Sequence, residues 1–112
     1  MTAGRWTVEI SDEVGHWYAS LKDTDRAYAD AALERLRDRG PGLRMPHSRP
    51  LGDGLHELRF TCERVARRIA YYFDAERKVI TLTTFRKQRQ NERAEVARAR
   101  RTMEEARKVR GT

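Results

Sequence analysis

Three stretches in the C-terminal half, Leu55-His-Glu-Leu-Arg-Phe, Arg68-Ile-Ala-Tyr-Tyr-Phe and Val79-Ile-Thr-Leu-Thr-Thr-Phe-Arg-Lys, alternate apolar with polar residues, and each carries a cation. With turns near Thr61–Glu63 and Asp74–Arg77, the latter a natural hairpin connection, the three runs read as consecutive antiparallel strands. Such a sheet buries one face and wets the other. Arg59 and Arg68 are in phase with polar or small neighbours, which predicts that both project from the exposed face into one concavity. Clustered cations on a rigid sheet suit a phosphate ligand.

The charge distribution agrees. The net charge is +7, and it is uneven: residues 1–54 hold 8 Lys/Arg against 9 Asp/Glu, whereas residues 55–112 hold 16 against 8. A positive potential confined to the half with the strands favours polyanionic partners, although solubility alone also accounts for a basic surface.

A chain of 112 residues has room for one domain, residues 1–112, with one core. The single cysteine, Cys62, has no internal disulfide partner and alternates with Phe60 and Leu58 on the expected buried face, so it reads as core filling. No apolar run is long enough to span a bilayer, and the N-terminal residues lack the apolar segment of a signal peptide, which predicts a cytoplasmic protein without membrane contact. His16, His47 and His56 show no ligand spacing, so no metal or other cofactor is expected.

In the N-terminal half, Trp6-Thr-Val-Glu-Ile10 alternates as a short strand, and Ser11-Asp12 suits a helix cap. Val14, Trp17, Tyr18 and Leu21 then recur at helical spacing. A second helix begins near Asp23 or Thr24, with Tyr28, Ala31, Ala32, Arg35 and Leu36 as its stripe, and stops at Gly40-Pro41-Gly42. Gly40 to Gly54 holds all three prolines and four of the seven glycines, and reads as a loop. Asn91 is expected to cap a last helix lined on one side by Val96, Ala99, Met103 and Ala106.

This order resembles the RelE/ParE toxin superfamily and, in detail, its HigB-type branch. The most specific matches are Trp17 with Leu21, Gly40-Pro-Gly-Leu-Arg-Met-Pro-His-Ser, Leu55-x-Glu57-Leu58-Arg59, Arg68-Ile-x-Tyr-Tyr-Phe and Phe85-x-Lys87. The resemblance implies an α+β fold: a four-stranded twisted sheet with two N-terminal helices on one face and a C-terminal helix. It also implies the toxic half of a toxin–antitoxin module, acting as a ribosome-dependent endoribonuclease on translated mRNA. The implied partners are the ribosome, mRNA, an adjacently encoded helix-turn-helix antitoxin and, through that complex, promoter DNA. A ParE-like inhibitor of a protein target such as gyrase, or a catalytically decayed corepressor, is the alternative.

Metal-independent cleavage requires the 2′-hydroxyl to attack the adjacent phosphate, with cations stabilising the pentacovalent dianion. By resemblance, Arg59 and Arg68 take that role. Glu57, two residues before Arg59 and therefore on the same side of its strand, serves either as general base or as an orienter of the arginines. Tyr72 shares phase with Arg68 and is the candidate for base stacking or proton transfer, whereas Tyr71 and His56 fall on the opposite face. Arg86, Lys87 and Arg89 are expected to meet flanking phosphates. One departure stands out: relatives carry a tyrosine or histidine near the C-terminus, where this chain has Ala97 and its neighbours.

Overall fold

The computed structural model describes residues 5–111; residues 1–4 and Thr112 of the expected domain lie outside the described residues. The elements run β1 (Thr7–Glu9), α1 (Asp12–Ala19), α2 (Asp23–Arg39), a 3-10 turn (Gly40–Gly42), β2 (Ser48–Gly52), β3 (Leu55–Cys62), β4 (Val65–Asp74), β5 (Lys78–Arg86) and α3 (Glu92–Val109). They form one five-stranded sheet in the order β1-β5-β4-β3-β2, with β1 parallel to β5 and the other pairs antiparallel. The α+β architecture is as expected, with one strand more than the four inferred.

That extra strand is β2, inside the segment expected to be a loop. Proline cannot donate to a ladder, but an edge strand has one side without a partner, and β2 is an edge strand. Its alternation is short and legible: Ser48 faces one side, where its hydroxyl lies 2.5 Å from that of Tyr71, while Leu51 packs on the other.

The two faces differ in what covers them. On the first, Leu58, Ile69, Tyr71 and Val79 meet Val14 of α1 and Ala32, Leu33 and Leu36 of α2. On the second, Leu55, Ala70, Tyr72, Ile80 and Leu82 meet Ala99 and Met103 of α3, so the side chains expected to line that helix do so. Cys62 is buried beside Leu21 and Ala29.

The stripe of α2 is shifted from expectation. Ala29, Ala32, Leu33 and Leu36 are buried, whereas Tyr28 is 59% exposed. Small alanines let the helix approach the sheet closely, and the bulky Tyr28 is turned outward; counting it as apolar displaced the expected face by one position. The helix ends are better anticipated. The Ser11 hydroxyl accepts from the Val14 N–H at 3.2 Å and caps α1. Asn91 occupies the cap position of α3 without a capping bond, because its side chain turns back to Gln88 N and Arg86 O.

The hairpin turns are tight. Asp53 and Gly54, and Glu63 and Arg64, have positive φ at both central positions, the geometry that matches the twist of the flanking strands. Glu63 and Arg64 do so without glycine. The Glu63 carboxylate accepts from Trp17 Nε1 at 3.4 Å, and at the next hairpin Arg77, also at positive φ, lies over the ring of Trp6.

Candidate nucleic-acid interface

Residue alternation and strand register together build the site. Arg59 of β3 pairs directly with Arg68 of β4, so the two guanidinium groups belong to the same face and the same row. Glu57 precedes them by one row, and it pairs on its other side with Arg49 of β2. Three adjacent strands thus deliver three arginines to one carboxylate. Glu57 Oε2 accepts from Arg59 Nη1 at 3.2 Å, and lies 3.6 Å from both Arg68 Nε and Arg49 Nε.

Burial grades across this cluster. Glu57 is 1% exposed, the Arg68 side chain 8%, Arg59 24% and Arg49 41%. Arg68 therefore does not project into solvent as expected; it lies at the floor, with Arg59 and Arg49 forming the wall. The N-terminus of α3 shares this face: its first residue, Glu92, stands 3.7 Å from Arg49 Nη2. Burial, and then the charge of Arg59, lower the Arg68 pKa below its usual value, although a guanidinium keeps its proton near neutrality. Among the described residues, Glu57 Oε1 and Arg68 Nε are buried without a hydrogen-bond partner. Such atoms are costly unless charge compensates them, and here opposite charges adjoin.

The other expected residues divide. Tyr72 is on the arginine face but 2% exposed, beneath α3 and under the Arg107 guanidinium, which lies 5.1 Å from its ring centroid. Burial raises its phenol pKa, and its hydroxyl has no hydrogen-bond partner among the described residues. It is closed to a nucleotide base, a correction that arises because strand phase gives the face but not what covers it. Arg86 pairs with Arg67, whose guanidinium lies over the Trp17 ring, so Arg86 belongs to the opposite face from Arg59 and Arg68. Lys87 falls on the arginine side, its N–H extending the ladder to Ala66 O at 2.8 Å. Arg89 is exposed in the turn before α3. Tyr71 is core, its phenol pKa pushed up to about 12 by burial, and His56 stacks on it.

Arg49 was absent from the sequence reading because its segment read as loop. The alternation of Ser48, Arg49, Pro50 and Leu51 was the available signal, masked by the proline.

A salt-linked truss holds the far side of this face. At the irregularity between β4 and β5, Thr84 N donates to Glu13 Oε2 at 2.8 Å, and Arg98 of α3 grips both oxygens of Glu13 at 2.6 and 2.9 Å. Burial alone would raise the Glu13 pKa, but these hydrogen bonds and the Arg98 charge leave it lowered. One carboxylate therefore fastens α1, β5 and α3 together.

Residues 16–104 match the model of the phage-derived Gp49-like family (DUF891). The chain belongs to that family. The fold of this Gp49-like protein is similar to that of the Escherichia coli toxin RelE, solved as a double arginine-to-alanine mutant in the free state. The TM-score is 0.57 at 12% identity, covering 85% of this chain and 93% of that one. No curated protein matches the chain. Among the described residues no helix is long and apolar enough to cross a membrane.

Proposed function

We propose that this Gp49-like protein is the toxin of a toxin–antitoxin pair, of the HigB type, and acts as a ribosome-dependent endoribonuclease on translated mRNA in the cytoplasm. One observation carries the reading: Arg59 and Arg68 are cross-strand partners on a face that also presents Arg49 and, two residues beyond Phe85's pairing with Arg68, Lys87. The RelE-like fold supports it. In this mechanism the phosphate enters along the wall formed by Arg59, and Arg68 stabilises the dianion from below. Guanidinium suits the task because its planar fork grips two oxygens and keeps its charge. Glu57 orients the arginines; its Oε2 is surrounded by three of them and its Oε1 is sealed from water. With Tyr72 closed off, proton transfers fall to groups supplied by the ribosome. An adjacently encoded helix-turn-helix antitoxin holds the toxin inactive, and the pair contacts promoter DNA through it.

A second reading, a ParE-like inhibitor of a protein target or a decayed corepressor, draws on the seclusion of Tyr72 and the lack of a tyrosine or histidine at Ala97. Arg68→Ala separates the two. Under the nuclease reading this variant loses about 10²–10³ in message cleavage, measured by mapping new 5′ ends after brief induction, and no longer arrests growth. Growth arrest undiminished by Arg68→Ala, with messages intact, would overturn the nuclease reading.

A further inference from the structure

Arg49 differs from its two neighbours in how it is held. Arg59 donates to Glu57, and Arg68 donates from Nη1 to the Arg67 carbonyl at 3.1 Å. Among the described residues Arg49 makes only long ion pairs, 3.6 Å to Glu57 and 3.7 Å to Glu92, both beyond good hydrogen-bond length. Its side chain is 41% exposed on the edge strand, the most accessible of the three arginines. Glu92 is itself one-third exposed, at the first turn of a helix whose N-terminus has no side-chain cap. Behind both stands Arg68, its side chain 8% exposed and its Nε paired with Glu57 only through a 3.6 Å ion contact, without a hydrogen bond among the described residues. Three arginines outnumber the two carboxylates among them, so the cluster retains a positive charge that an incoming anion neutralises.

We infer that Arg49 is a third phosphate ligand of this site, and that the Glu92 carboxylate holds Arg49 in place until an RNA phosphate displaces it. The inference rests on the nuclease reading and adds a residue and a competitor to it. Loose ion pairs on a partly exposed arginine exchange at little cost, because water already solvates both partners. A phosphate oxygen at hydrogen-bond distance, between the fork of Arg49 and the buried charge of Arg68, replaces a 3.7 Å contact by a charge-assisted bond. Glu92 then swings to solvent.

The test uses a single-stranded 2′-O-methyl RNA, which cannot undergo 2′-OH attack, bound to the full chain and followed by fluorescence anisotropy across low salt concentrations. Thermal melting confirms that each variant is folded. Arg49→Ala should weaken binding about tenfold and reduce the salt-dependence slope by about 0.7, the value of one single-strand phosphate contact. Arg49→Lys should recover the slope. Glu92→Gln should tighten binding in the natural background and have no effect in the Arg49→Ala background. Equal tightening in both backgrounds overturns the competitor role, because it marks a general charge effect. An unchanged slope in Arg49→Ala, with Arg59→Ala and Arg68→Ala both weakened, overturns the inference while leaving the nuclease reading standing. Binding that none of the arginine substitutions weakens overturns both.

Discussion

The two faces of the sheet are made from the same alternating strands, yet one is closed and the other half open. Two helices, α1 and α2, cover the first along its length with alanine, valine and leucine, while among the described residues α3 is the one helix on the second. At the N-terminal end of α3, apolar residues give way to Glu57, Arg59 and Arg68. The difference teaches that burial on this sheet is set by the cover, not by the strand: Tyr72 and Arg59 share a face, yet Tyr72 is buried beneath α3 while Arg59 stays partly exposed. It also separates stability from chemistry, since a closed face is sensitive to volume and the open one to charge.

That separation can be attacked first at Glu57. Glu57→Ala removes the compensating charge from a nearly buried Arg68 and should cost about 3–5 kcal/mol in urea unfolding, although its residue lies on the functional face. A loss under 1 kcal/mol, on the order of a surface pair, would show that water already compensates Arg68. Leu58, the next residue, points to the closed face and is fully buried. Leu58→Ala should cost about 2–5 kcal/mol by lost transfer energy and cavity formation, and its residual folded fraction should bind RNA normally. Binding that falls in parallel with stability across a Leu58 series would merge the two faces into one unit.

A smaller effect is expected at Tyr71. Tyr71→Phe leaves Ser48 without its partner on the edge strand and should cost about 0.5–1.5 kcal/mol, seen as a lowered thermal midpoint. Smallest is the pH response of His56, packed against Tyr71 and Phe73. Burial lowers its pKa from 6.5. As pH falls through 6.5 the unfolded chain takes up a proton that the folded protein refuses, so stability is fully present above that pH and declines below it. His56→Phe should flatten the melting temperature between neutral and mildly acidic solution. An equally steep dependence in that variant would trace the effect to another group.

Much of this was legible in the chain because period-2 alternation is local. It put Arg59, Arg68 and Glu57 on one face, and Tyr71, His56 and Cys62 on the other, before any contact was known. What stayed hidden is non-local. The seclusion of Tyr72 depends on Met103 and Ala99, about thirty residues downstream, arriving over it. Arg86 and Lys87 are adjacent in the chain, but successive residues along a strand face opposite ways. Arg49 was lost to Pro50, because proline argues against a strand unless the strand is known to be an edge, which only topology reveals.

Glu63, Arg64, Glu76 and Arg77 hold a backbone shape that glycine adopts more readily, and at two of these positions the side chain clasps an indole in return. Replacing Glu63 or Arg77 with glycine would relax the bend and unfasten a tryptophan at once. A stabilisation programme guided by dihedral angles alone would therefore include the wrong position in each turn, whereas Arg64 and Glu76, for which neither clasp is formed, are where a glycine has most to give.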